Sequence, residues 1–336
     1  MRKVLDIVLL PLMVAVVLAG YSGAAAPDSA TQQTPAPVSL QVKTEGPFQF
    51  IAYGDIRFTN PDNHKDSSPE MRAPLVAQIA SLHPKFVLVS GDLVLRGDNP
   101  ADWQVWDEET APWKEAKLRI FPAIGNHELY RDPQAGLRNY FERFPELAGS
   151  RYYSVRAGNT LVLVLDSSQP EASGAQGQWL ASKLDHLPAD VDFVFLMLHH
   201  PPYTNSSDHW ISGGHSARPQ EKALAEWLEQ RQASTRARFV VIAGHVHNYE
   251  RYEHGGVRYI VSGGGGATPY TITRGPSDDY RQPGPTYHYC QVSVDGPKAE
   301  ISVMKLNLKE GRAVFTQVDS VTIASTPAGK KAAAAR

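Results

Sequence analysis

Short runs of apolar residues, each stopping beside a polar cluster, recur along this chain. Phe48 to Tyr53 stops at Gly54-Asp55, Phe86 to Ser90 at Gly91-Asp92, and Arg119 to Ile124 at Gly125-Asn126-His127-Glu128. Farther on, Phe193 to Leu198 runs into His199-His200-Pro201-Pro202, and Phe239 to Ala243 into Gly244-His245-Val246-His247. Runs apolar at nearly every position, rather than at alternate ones, predict strands covered on both faces. Between them the spacing changes to that of a helix. Met71, Leu75, Ile79 and Leu82 predict a helix over Pro69 to Leu82, and Trp103 and Trp106 share one face of Ala101 to Ala111. Further helices are expected over Pro133 to Phe144, Gln176 to Leu187 and Gln220 to Gln232. Tyr152 to Val155 and Leu161 to Asp166 predict a strand pair opening a second sheet. Arg258 to Ser262, Tyr287 to Val294 and Ala299 to Leu306 predict antiparallel strands, with Gly263 to Gly266 as a flexible connection.

No tandem repeat or low-complexity break interrupts the alternation of strands and helices, so residues 47–320 are expected to form one domain. Outside it the pattern is lost. Residues 1–26 have a positive start at Arg2-Lys3, an apolar run from Ile7 to Ala19 and a small-residue site at Ala24-Ala25-Ala26, the order of a secretory signal peptide. That run is short for a membrane span, though an uncleaved anchor would share its pattern. Tyr21 stands where a lipidated cysteine would have to be, so no stable membrane anchor is expected and the chain is expected to be exported, to a periplasm or outside the cell. Residues 27–46, rich in Ala, Thr, Gln, Ser and Pro, read as a flexible linker, and residues 321–336 as a disordered tail.

Charge changes the picture by exclusion. The formal net charge is −2 with both signs interspersed, which leaves no electrostatic footprint for a nucleic acid scaffold. Cys290 is the only cysteine, so an intramolecular disulfide and a cysteine-rich metal site are both excluded. A metal would have to sit on His, Asp, Asn and similar groups. His245 and His247, one residue apart beyond a buried strand, can direct neutral nitrogens at one cation or two, or can simply be hydrogen-bonded loop histidines. Five strand ends in succession bear such groups, and ligands of α/β sheets gather at the carboxyl ends of strands.

The order Gly-Asp, Gly-Asp, Gly-Asn-His-Glu, His-His-Pro-Pro, Gly-His-Val-His resembles the calcineurin-like metallophosphoesterase superfamily, and Ala243 to Arg251 (AGHVHNYER) is most similar to the purple acid phosphatases. The resemblance covers Pro47 to Leu306. It implies an α/β (α+β) four-layer fold, two mixed β-sheets packed as a sandwich and flanked by helices. It implies two divalent or trivalent metal ions, Fe, Mn or Zn: Asp55, Asp92 and His247 on the first, and Asp92 as a bridge to a second held also by Asn126, His199 and His245. His199 is chosen over His200 because His199, Pro201 and Tyr203 match the His-x-Pro-x-Tyr order. The implied activity is that of a hydrolase acting on phosphoric esters, most of all an acid-phosphatase-like phosphomonoesterase using a metal-activated hydroxide on a phosphate-ester small molecule or a phosphorylated biomolecule. His127 would contact the phosphate or protonate the leaving group, or merely orient Asn126 or a loop carbonyl. His209, ten residues after His199, is similar in placement to a leaving-group histidine, with a solvated loop histidine as its bland alternative.

The chain departs from the pattern at two positions. Arg57 stands where many relatives have a metal-binding histidine, and Leu95 where purple acid phosphatases have a metal-binding tyrosine. The first metal is therefore expected to be held weakly, completed by water or a residue such as His64, and no charge-transfer colour is expected. Arg57 could repel that metal or clamp substrate phosphate. Arg96 could contact phosphate as a similarly placed arginine does in protein phosphatases, or pair with a nearby carboxylate. Phosphodiesterase activity and a non-catalytic phosphate-binding role are the competing readings.

Overall fold

A computed structural model describes residues 35–206, 215–282 and 286–325, which lie in one unit running from Pro35. The strands are β1 (Ser39–Val42), β2 (Phe48–Tyr53), β3 (Val87–Val89), β4 (Ile120–Pro122), β5 (Tyr153–Ala157), β6 (Thr160–Val164), β7 (Phe193–Met197), β8 (Arg238–Ala243), β9 (Tyr249–His254), β10 (Val257–Ser262), β11 (His288–Asp295), β12 (Lys298–Lys309) and β13 (Arg312–Ala324). The helices are α1 (Pro69–Ser81), α2 (Pro100–Glu109), α3 (Ala111–Glu115), α4 (Pro133–Arg143), α5 (Gly174–Asp185) and α6 (Pro219–Gln232). Every helix but α5 has a proline in its first turn, where the ring's fixed φ suits the helix and the missing N–H is not needed. The side chains of Asn99 and Asp132 cap α2 and α4 by accepting amide hydrogens of their first turns.

Two mixed sheets form the centre. One has the order β1-β5-β6-β7-β8-β10-β9 and the other β13-β12-β11-β2-β3-β4. Strands β6, β7, β8 and β10 are mutually parallel, as are β2, β3 and β4. The continuous apolar runs follow from burial on both faces. In β7, Phe193, Phe195 and Met197 enter the core between the sheets, while Val194 and Leu196 enter a second core under α5 and α6. The contact of Phe50 on β2 with Phe195 on β7, edge to face at 5.2 Å, joins the two sheets. On the far side of β2–β4, Leu75 and Ile79 of α1 pack with Trp103, Trp106 and Trp113, giving the fourth layer. Trp179 and Trp227 lie half-buried against the core under α5 and α6.

Three expectations are corrected. Ser39–Val42, inside the supposed flexible linker, is a strand paired in parallel register with Ser154–Ala157. Residues 321–324, inside the supposed tail, complete β13, whose Ile323 pairs with Ala299. Polar composition hid both, because an edge strand needs only alternate buried residues. Gly263 to Gly266 is not a flexible connection: Gly263 N donates to Asn248 O, Gly265 N to Gly54 O, and Gly266 O accepts from Ser68 N. Among the described residues no helix is long and apolar enough to cross a membrane.

Candidate metal centre

Five parallel strands, β2, β3, β4, β7 and β8, end at one edge of the sandwich and deliver their loops together. The turns are tight. Asp55, Arg57, Asp92 and His245 all have φ between +53° and +68°, a left-handed conformation that non-glycine residues adopt at a cost. Glycines let the loops interlock: a Cβ at Gly125 would stand 2.3 Å from Asp92 Oδ1, and one at Gly244 2.3 Å from Asp55 Oδ2.

Asp92, Asn126, His199 and His245 form one tight group. His199 Nδ1 donates to the Ser90 carbonyl at 2.9 Å, which leaves the lone pair of Nε2 facing Asn126 Oδ1 at 2.8 Å and Asp92 Oδ1 at 3.3 Å. His245 Nδ1 lies 3.1 Å from Asn126 Oδ1 and 3.2 Å from His199 Nε2. Burial, and then the neighbouring imidazole of the other, depresses the His245 pKa, while burial outweighs Asp92 in depressing that of His199. Both rings are therefore neutral, and three acceptor atoms around His199 Nε2 converge with no proton of that ring between them. Such a set repels itself unless a cation sits among them, and a transition-metal ion fits this N,O set.

Asp55 and His247 form the other half. His247 Nδ1 donates to the Thr268 carbonyl at 2.7 Å, so Nε2 carries a lone pair; it is buried without a hydrogen-bond partner, 3.6 Å from Asp55 Oδ1. The opposite Asp55 oxygen and Oδ1 both accept from His245 N. Burial and the Asp92 carboxylate raise the Asp55 pKa well above the ordinary range. Burial would raise Asp92 too, but His127, His199 and Arg57 together hold it well below. An orphaned buried nitrogen aimed at a buried carboxylate again fits a cation. The groups Asp55-Asp92-His199 and His199-His200-His245 each keep their ligand atoms within 4.8 Å of one another.

The remaining candidates divide. Arg57 Nη2 lies 3.3 Å from Asp92 Oδ2, and its buried Nε has no partner. His127 is held by its amide on Asp92 Oδ1 at 3.0 Å and its Nδ1 on the Leu95 carbonyl at 2.6 Å, with Nε2 3.8 Å from Asp92 Oδ2. His200 is held by Ser167 Oγ at 2.8 Å, its ring against His245. Arg96, by contrast, pairs side-on with Asp98 at 3.2 and 3.3 Å and makes no bond to the group around Asp92. His64 is two-thirds exposed and faces Glu70, so it does not complete the Asp55 half. Asp166 is a structural carboxylate held by Arg151 and the Ser168 amide. His209 lies outside the described residues.

Sequence reasoning missed three participants. Glu128 is buried beneath the loops and accepts from the amides of Asp92, Leu93 and Gly125 at 2.8 to 2.9 Å, tying the ends of β3 and β4 together. Its place three residues after Gly125 was the available signal. Tyr270 stacks on His247, centroids 4.2 Å apart, and its hydroxyl meets His215 Nε2 at 3.2 Å. Neither residue carried any signal, since nothing in local pattern ties a loop tyrosine to a histidine more than twenty residues back.

Residues 50–249 match the family model described as calcineurin-like phosphoesterase. The chain is 28% identical over 198 residues to a phosphoenolpyruvate phosphatase of Allium cepa, covering 53% of this chain and 38% of that protein. It is 30% identical over 179 residues to purple acid phosphatase 23 of Arabidopsis thaliana, covering 50% and 36%. The chain thus spans less than two fifths of the length of these relatives. In fold it is similar to a purple acid phosphatase from yellow lupin (Lupinus luteus) seeds, with a TM-score of 0.66 at 16% identity over 84% of this chain and 54% of that one. The match takes in more than half of the chain and all five of the strand ends whose loops meet around the His, Asp and Asn set, and the chain belongs to the calcineurin-like phosphoesterase family.

Proposed function

We propose that this chain is an exported phosphomonoesterase that works with two metal ions, Fe, Mn or Zn, on a phosphate-ester small molecule or a phosphorylated biomolecule. The observation that carries the reading is the convergence of unprotonated acceptors at one sheet edge: His199 Nε2 with Asn126 Oδ1 and Asp92 Oδ1, and beside them His247 Nε2 facing Asp55 Oδ1. Asp92, Asn126, His199 and His245 would hold one ion, and Asp55, His247 and the shared Asp92 the other. When bound, the ions supply Lewis-acid charge to the phosphoryl group and acidity to a water.

The chain's own residues do the rest. Asn126 contributes a neutral oxygen, which limits negative charge where an anion must enter. Arg57 places a permanent cation beside Asp92 and favours the dianionic ester. Because the amide and Nδ1 of His127 are both committed, Nε2 is the atom that exchanges a proton with the leaving oxygen. The phosphatase relatives support ester hydrolysis; the charged, apolar and small-residue order of residues 1–26 supports export.

Turnover of p-nitrophenyl phosphate and bis-p-nitrophenyl phosphate by the metal-loaded protein tests the reading. A monoester-to-diester ratio above one is expected. A ratio below one makes the chain a phosphodiesterase, and turnover of neither makes it a phosphate-binding protein. Export is checked by fractionation, with a new N-terminus near Ala26 expected.

A further inference from the structure

Tyr270 is held more firmly than a loop tyrosine needs to be. Its amide donates to the His247 carbonyl at 3.0 Å and its carbonyl accepts from Asn248 Nδ2 at 2.6 Å. Just before it, Ala267 N donates to the Asp55 carbonyl, and Thr268 O receives His247 Nδ1. The loop is thus laced to both residues of the Asp55 half. The ring lies flat on the His247 imidazole, 16° from parallel, and against the buried His215, centroids 4.7 Å apart. This places the hydroxyl between His215 Nε2, at 3.2 Å, and the Arg57 guanidinium. A phenol keeps its proton at neutral pH, so the hydroxyl is an O–H donor there. Arg57 itself has one nitrogen on Asp92 and a buried Nε without a partner.

We infer that Tyr270 is a substrate-contacting residue whose hydroxyl, held between Arg57 and His215, donates to a non-bridging oxygen of a phosphate monoester dianion. The inference rests on the phosphomonoesterase reading and names a selectivity determinant within it. A monoester dianion presents three non-bridging oxygens, enough to engage a metal-facing side and still reach a wall of Arg57 and Tyr270. A diester monoanion has two such oxygens and less charge to repay burial beside that wall. The position also answers the departure at Leu95: a tyrosine reaches the Asp55 half from another loop, as a hydrogen-bond donor. A hydroxyl rotor can turn from His215 to an arriving oxygen without moving the ring.

The test is calorimetric titration of inorganic phosphate and of dimethyl phosphate into metal-loaded wild type and Tyr270→Phe, with metal content measured on the same samples. Phenylalanine keeps the stack on His247 and removes only the donor. The expected result is a loss of phosphate affinity of about 10- to 150-fold, from one hydrogen bond to a charged group, with dimethyl phosphate affinity changed less than twofold and metal content unchanged. Phosphate affinity within twofold of wild type at equal metal content overturns the inference alone. Loss of metal in Tyr270→Phe overturns it too, and makes Tyr270 a residue that positions His247. Wild type that binds metal but no phosphate overturns the phosphomonoesterase reading together with the inference. If Tyr270→Phe fails to fold, Tyr270→Leu, which also lacks the donor, is read against the same thresholds.

Discussion

The two halves of the site are built to different standards. Around Asp92, Asn126, His199 and His245, each group touches at least one other at 2.8 to 3.3 Å, and Glu128 ties the loops from beneath. Around Asp55 and His247, the closest approach of the two side chains is 3.6 Å, and Arg57 stands nearby on Asp92. The first half draws its groups from four strand ends, the second mainly from two, braced by the Gly263 to Tyr270 loop. A cation held by few ligands is sensitive to what surrounds it, whereas a cation in an interlocked set resists loss. The difference teaches that the half for which the resemblance implies missing ligands, at positions 57 and 95, is also the looser of the two.

Asp92 belongs to both halves, so Asp92→Asn is the strongest break. Turnover is expected to fall on the order of 10³-fold or more, as for removal of a central electrostatic group. Wild-type rates in a p-nitrophenyl phosphate assay would refute the bridging role. Next, His245→Ala and His247→Ala set the halves against each other. If two ions bind as proposed, at limiting metal His245→Ala should cost the protein more bound metal than His247→Ala, because the His245 set is the more interlocked. Elemental analysis after gel filtration decides it, and equal losses in both variants would erase the contrast.

The half around His199 and His245 rests on a buried scaffold: Ser167 holds His200, whose ring lies against His245, the Ser167 carbonyl accepts from Arg218, and Arg218 pairs with Glu221, which faces Glu171. Burial, and then the Glu221 carboxylate, pushes the Glu171 carboxyl from 4.5 up to about 9. A raised pKa means the fold favours the protonated form. Its contribution is complete below the unfolded value of 4.5 and is lost as pH rises through about 9. The thermal midpoint should therefore decline from about pH 5 to pH 9, and Glu171→Gln should flatten that decline, with parallel curves counting against a raised Glu171 pKa. The smallest effect is expected of Arg96→Ala, because Arg96 is turned to Asp98: turnover within about twofold of wild type, as for most surface ion pairs. A loss above tenfold would return Arg96 to the site.

Much of this is legible in the sequence. Strands β2, β3, β7 and β8 announced themselves by continuous apolar runs, and the residues just beyond them met at one edge because parallel strands in a sheet share a carboxyl end. Less was legible where polarity and burial coincide. β1 and β13 are edge strands whose outer face is wet, so their alternation is weak and their composition resembles a linker or tail. Arg96 shows the limit for a side chain: its spacing allowed either phosphate or a carboxylate, and only the neighbouring Asp98 chose.

By itself the sequence determined which residue types stand at the strand ends, and that no cysteine-rich site holds a metal. Local pattern suffices there, since a strand's burial and its termination are written in consecutive residues. Only the tertiary structure decided that Glu128 ties two loops together, that His64 and Arg96 turn away, and that Tyr270 lies on His247. These are contacts between residues far apart in the chain, fixed by how the sheets pack and the loops cross, and no local periodicity carries them.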